Sequence, residues 1–439
     1  MRAARGRWRL GTATIGGLVL LCACGGSSPT ATQTIPSNAN ITALTWGDAK
    51  YFNADFALYK QMFPKDAQQQ TLTVSIGGQN DGDAVSKFRL ALSSHKDIPD
   101  IMEMNYSALP EFASQHQLAD ISSYVNSYLP AMSPSAKTLM QYQGSYVAFP
   151  YEVKEKLWYY RKDMFAAAGI DATQIHTQQD FIAAGMKLRA KYPSSYMWNL
   201  APNPQAYVMG EILSGNGALL YDKSASKFVV DTNPGVKQAF TALRDLRSSG
   251  VVDTKFDDFT PDWQKALADG TLASVPIASW FSTFLPQYAP GGSGKWGVTV
   301  WPEIGGAVGG SEAGGSVFVI PAAAKNKAAA AKFLADVFMT NQSELALFKQ
   351  FNLIPNVTSA QGDPAVTGNA FYGSDLITAF QAAGKDYKLF AYDPAGLKEL
   401  SILQNALANY LSGSSEDPSS ALSAAQQQMS AQIGNPYSQ

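Results

Sequence analysis

Alternation of apolar and polar positions divides the chain into recognisable elements. Residues 71–76 (Thr-Leu-Thr-Val-Ser-Ile) alternate with a period of two and stop at Gly77-Gly78, which predicts a half-buried strand. Residues 41–46 and 99–104 predict two more strands. Val85, Phe88 and Leu92 share one side of a helix predicted over 83–93; further helices are predicted over 52–63 and 109–116. Strands alternating with helices argue for a largely parallel, wound sheet. Residues 145–160 form one long β-prone run, broken only by Pro150. It is longer than an ordinary strand and suits a connection between two lobes. Beyond it, helices are predicted over 179–192, 234–249 and 261–268, with strands over 272–276 and 296–301. A glycine-rich turn region (305–315) precedes a predicted strand (316–320) and an Ala-rich helix (322–340). The last third is mostly helical, notably over 397–411 and 418–433. No short repeat period is present.

The first forty residues follow a different pattern. Arg2, Arg5, Arg7 and Arg9 precede an uncharged stretch whose apolar centre is 15–22, and no charge recurs until Asp48. This is the layout of a secretory signal. It closes on Leu21-Cys22-Ala23-Cys24, which resembles a bacterial lipobox and implies a lipid on Cys24 as the first mature residue. Cys22 in the lipobox is less usual than Ala or Ser and is the rival candidate for processing. Gly25 to Thr30 is small and polar, a flexible tether. The expected division is a signal over 1–23 and a tether over 24–40. The alternatives are an ordinary cleaved signal and a transmembrane anchor, but a span needs about 20 apolar residues. Gly11, Thr12, Thr14, Gly16 and Gly17 interrupt this one.

Both cysteines lie in that segment, so the mature chain has neither a disulfide nor a Cys metal site. A body of this size can bury a large core without staples. The formal charge is −2; losing four arginines and no acid leaves −6, which argues against nucleic acid. Low charge (15%) with abundant aromatic residues (11%) suits a neutral, polar ligand.

Catalytic patterns are weak. His95, His116 and His176 are scattered, so no metal site is expected. Gly291-Gly292-Ser293-Gly294-Lys295 departs from a phosphate loop, with Ala289 and Trp296 at positions that need Gly and Ser or Thr. No G-x-S-x-G elbow is present. Glu152 with Asp48 is one of many carboxylate pairs that a glycosidase reading could use.

Binding patterns are stronger. In wound α/β sheets ligands sit beyond the carboxyl ends of strands. Those ends carry Trp46 and Asp48, then Asn80 and Asp81, then Asn105 and Tyr106, then Trp280. Tyr151, Glu152, Trp198 and Trp301 are further candidates. Rings stack on the apolar face of a sugar, while carboxylates and amides bond its hydroxyls. Asp48, Asn80 and Asp81 are equally explained as turn or helix-capping residues. Trp158, Trp263 and Trp296 read as core.

Several segments together resemble one family. Pro99-Asp100-Ile101 followed by Ala119-Asp120-Ile121 is similar to the "PD(I/V)…L-x-(D/E)-(I/L)" segment of extracellular solute-binding proteins. Phe149-Pro150-Tyr151 leading to Leu157–Phe165 resembles their "P…LYYNKDLF" crossover, with Arg161 in place of the common Asn. Asp269 to Trp280, and Gly314-Gly315 through Ile320 to Phe333, resemble two later segments. The group is the carbohydrate-binding, maltose-binding-like proteins serving ABC importers. The resemblance implies an α/β, two-lobed periplasmic-binding-protein-like fold (type II) with a ligand cleft between lobes. Lobe one would comprise 41–150 plus 314–345, and lobe two 151–313 plus 346–439. It also implies a carbohydrate ligand, no cofactor, no catalysis, and ABC permease subunits with an ATPase as partners of a membrane-tethered monomer. By this resemblance Gly314 and Gly315 join the candidate site, with the 46–48 turn, the Asn105 region, Tyr151, Trp198 and Trp280. The family's third-strand aromatic is poorly matched: Met104 stands at its place, with Tyr106 two residues later. Rival readings are a polyamine, peptide or metal-chelate cargo in the same fold, and a surface glycan-degrading enzyme.

Overall fold

A computed structural model describes residues 38–200, 218–302, 304, 312–385, 387–413, 415 and 417–438. The signal, Cys24, most of the tether and the glycines at 305–310 lie outside the described residues. Among the described residues, no helix is long and apolar enough to cross a membrane.

Among the described residues, the main sheet has seven strands. The first, Asn40–Thr45, lies between Thr71–Ile76 and Ile101–Asn105 and runs parallel to both. The return strand Glu312–Val319 pairs antiparallel with Ile101–Asn105 and with the first half of Ala148–Arg161. The second half of Ala148–Arg161 pairs antiparallel with Ser274–Ala278 and Trp296–Val300. The sheet is therefore mixed, not largely parallel as the pattern suggested. Its parallel part arises where the helices Ala49–Met62 and Asp81–Ser94 carry the chain back between strands. Its antiparallel part arises where the chain crosses and returns.

The crossover Ala148–Arg161 is one unbroken 14-residue strand. Pro150 lacks an N–H, yet the ladder tolerates it because the register shifts there. Ser316 stands opposite Glu152 but Val317 stands opposite Pro150, so Tyr151 is the extra residue of a bulge. Side chains of this strand enter two separate hydrophobic cores. Val153, Leu157 and Tyr159 join a first core with Ile41, Phe88, Phe112 and Phe318. Trp158 joins a second core with Phe165, Phe181, Phe240 and Trp301. Period-two alternation thus lets one strand build both sides of the molecule.

Side-chain caps explain why elements begin where they do. The helix Ala49–Met62 starts earlier than the apolar pattern indicated because Asp48 accepts from the N–H of Lys50 at 2.9 Å. The third strand starts at Ile101 because Asp100 serves elsewhere. Its buried carboxylate accepts from the N–H groups of Thr42 (3.0 Å), Lys325 (3.0 Å) and Asn326 (2.8 Å). It also accepts from Asn326 Nδ2 at 3.1 Å. One carboxylate therefore joins the first strand to the start of the helix Lys327–Phe338. That tie also shortens the Ala-rich helix, which the composition alone extended back to 322. The glycines at 314 and 315 belong to the return strand rather than to the turn before it.

Asp100→Ala strands several buried donors and is expected to lose about 3 kcal/mol of stability. Asp100→Asn, which keeps one acceptor oxygen, is expected to lose less. Urea unfolding of both variants checks the order.

Candidate functional site

The carboxyl ends of the three parallel strands lie together. Gly77 N donates to Thr45 O (2.8 Å) and Gly47 N donates to Gly78 O (2.9 Å), which joins the first two strand-end turns. A Cβ at Gly77 would lie 2.4 Å from Ala84 Cα, so only glycine lets the turn approach the following helix. Asn80 caps that helix through Asp83 N at 3.0 Å. Asp81 is buried and accepts from Asn105 N at 3.0 Å, tying the third strand's end to the second. Asp48 and Asn80 thus both act as helix caps, on the exposed surface of the same strand-end cluster.

The row continues across the sheet. Ser316 is the register partner of both Asn105 and Glu152. Lys154 Nζ donates to Ser316 Oγ at 2.9 Å. Asp81, Asn105, Ser316, Glu152 and Lys154 therefore form a connected polar strip, with Glu103 buried among these charges. Glu103, Lys154 and Ser316 are not among the candidates drawn from the strand ends. A trace of the first two was present: a charge inside the apolar strand Ile101–Asn105, and alternating charges at Glu152, Lys154 and Lys156.

Aromatic candidates divide into three places. Trp46 is half-buried against the first core, and Tyr151 packs between Phe318 (4.8 Å) and Phe338 (5.4 Å). Tyr106 donates from its hydroxyl to Gln141 O at 3.1 Å, with its ring 6.4 Å from Tyr392. Trp198 and Trp301 are buried in the second core, 5.8 Å apart, with the Lys156 ammonium 4.8 Å from the Trp301 ring. Those two rings are enclosed by others, among them Trp158 and Phe181. Trp158, Trp263 and Trp296 are fully buried, as expected. Trp280 differs. It is half-buried where Ser274–Ala278 gives way to the helix Phe281–Tyr288, beside Phe259 (5.8 Å) and Phe284 (5.5 Å). Gly315 has a packing role: a Cβ there would lie 2.9 Å from Leu139 Cδ2.

A contact chain links the Trp46–Asp48 turn to the Trp280 helix. Tyr51, one turn beyond Asp48, meets Phe351 at 5.9 Å, edge to face. The Phe351 carbonyl accepts from Thr283 Oγ1 at 3.0 Å. Phe351 thus ties the helix after Asp48 to the helix after Trp280. Among the described residues, no group of His, Cys, Asp and Glu has the geometry to hold a metal.

Residues 59–371 match the family described as bacterial extracellular solute-binding protein, which is well over half of the chain. This chain belongs to that family. The arabinooligosaccharide-binding protein of Halalkalibacterium halodurans is 22% identical over 214 residues, covering 47% of this chain and 46% of that protein. The diacetylchitobiose binding protein DasA of Streptomyces coelicolor is 24% identical over 282 residues, covering 63% and 64%. The chain matches less than two thirds of the length of either relative. An ABC transporter associated binding protein from B. animalis subsp. lactis, solved with β-1,6-galactobiose, superposes with a TM-score of 0.73 at 20% identity. The match covers 90% of this chain and 98% of that one. This likeness bears on fold, and it agrees with the two-lobed α/β architecture that the sequence suggested.

In this solute-binding protein the polar strip is electrostatically loaded. Burial raises the Glu103 carboxyl to about 8; Asp81, Asp55 and Glu152 add repulsion, and Lys154 opposes them. Burial raises Glu152 to about 7, with Lys154 again opposing. Each group holds its proton more tightly folded than unfolded. Stability from these groups is therefore present in acid and is lost as pH rises from about 4.5 towards about 8. The thermal midpoint is expected to fall between about pH 5 and pH 9. Glu103→Gln is expected to flatten that slope in a pH series of unfolding scans.

Proposed function

We propose that the chain is the substrate-binding lipoprotein of an ABC importer. It takes a mono- or oligosaccharide between its two lobes and delivers it to membrane permease subunits driven by an associated ATPase. It is a receptor rather than an enzyme and works as a monomer, tethered outside the cytoplasmic membrane by a lipid on Cys24. The observation that carries this reading is a partly exposed Trp280 ring just beyond the strand that pairs with the crossover, the same crossover that carries Glu152 and Lys154 of the polar strip. A sugar needs both: a flat apolar wall, and donors and acceptors around its edge. The family membership and the sugar ligands named for its relatives point the same way. Closure follows if the ligand contacts both lobes, since a ligand favours only a state that it binds better.

The decisive test is thermal unfolding of the mature chain against sugars, polyamines and peptides. A ligand at about 100 times its dissociation constant adds about 2.7 kcal/mol, so the right sugar raises the midpoint by roughly a few degrees. Recovery of that sugar unchanged separates a receptor from a glycan-degrading enzyme. A shift only with a polyamine or peptide overturns the cargo.

Trp280→Ala is expected to cost about 1–3 kcal/mol of sugar binding by calorimetry, with little change in the unfolding midpoint. Fatty-acid labelling in a bacterial host tests the anchor: label is expected on the wild-type chain and absent from Cys24→Ala.

A further inference from the structure

Phe259 is held in an unusual way. Its φ is +66°, a left-handed conformation that a bulky side chain rarely takes. The residue is also 37% exposed although a core lies next to it. The neighbours on both sides are fixed. Asp258 Oδ1 accepts from Asn199 Nδ2 at 2.7 Å, and Asn199 Oδ1 accepts from Trp263 Nε1 at 2.8 Å. Thr260 caps the helix Pro261–Asp269 through Trp263 N, and its hydroxyl donates to Asp257 O at 2.8 Å. Phe259's own carbonyl accepts from Gln264 Nε2 at 3.2 Å. A backbone so restrained on both sides keeps a strained residue in place, and such residues concentrate at ligand sites.

The strain presents a ring beside Trp280. The two centroids are 5.8 Å apart and the planes differ by 32°. Phe259 also meets the buried ring of Trp263, with 5.3 Å between centroids. Trp280 and Phe259 thus place two partly exposed aromatic rings next to each other. We infer that Phe259 is a second stacking position, which makes this protein select a disaccharide or longer over a monosaccharide. This rests on the proposed sugar-receptor reading and extends it from ligand class to ligand length. The alternative is that Phe259 only packs against Trp263. Glycine adopts φ of +66° without strain, so Phe259→Gly separates the two roles.

The test is calorimetric titration of the full mature chain with matched pairs. These are galactose and β-1,6-galactobiose, N-acetylglucosamine and diacetylchitobiose, arabinose and arabinobiose, and glucose and maltose. For the pair that wild type binds, Phe259→Ala and Phe259→Gly are expected to weaken the disaccharide roughly tenfold while changing the monosaccharide less than about twofold. Phe259→Tyr keeps the disaccharide affinity. Trp280→Ala weakens both members, and the thermal midpoint of Phe259→Gly stays at or above that of wild type. Unchanged disaccharide binding in Phe259→Ala, equal losses for both members, or a wild type that binds only the monosaccharide overturns the inference and leaves the receptor reading standing. A wild type that binds no sugar overturns both.

Discussion

Everything in this molecule is arranged about the crossover strand Ala148–Arg161. Among the described residues it is the strand with the most pairing partners, three. Its first half is zipped to the return strand, and its second half lies between Ser274–Ala278 and Trp296–Val300. Leu157 and Tyr159 enter one core and Trp158 between them enters the other, so both cores draw on it. The bulge at Tyr151 is the local cost of running one strand through both regions, and it lies where Pro150 could donate no bond in any case.

The position of the polar strip follows from that arrangement. Glu152 and Lys154 belong to the crossover, Ser316 to the return strand, and Glu103 and Asn105 to the third parallel strand. Sheet register brings them side by side although they are up to about two hundred residues apart in sequence. Buried carboxyls beside one ammonium are expensive to keep charged, and burial raises both Glu103 and Glu152. A protonated carboxyl offers an O–H donor as well as an acceptor.

The aromatic residues show a similar division of labour. Trp198 and Trp301 support the second core, where ring packs on ring and little surface is left. Trp280, Phe259 and Phe284 gather instead at the start of one helix, with partly exposed faces. The difference is one of burial, not of residue type. A Trp in the sequence therefore says little about ligand contact until its neighbours are known.

The sequence by itself determined the order of elements, the strand-end turns, the long crossover, the core Trp158, Trp263 and Trp296, and the family. These are local or ordered along the chain: a period of two, a Gly-Gly stop, a capping Asp, a run of motifs at set spacing. Tertiary structure decided the rest. It made the sheet mixed, because strand direction depends on where the chain returns and not on local pattern. It turned Asp100 into a tie between distant segments and made Gly315 a packing residue. It also assembled Glu103, Lys154 and Ser316 into one strip and set Phe259 beside Trp280. Contacts between residues far apart in sequence leave no periodic trace along the chain, so only the folded register could reveal them.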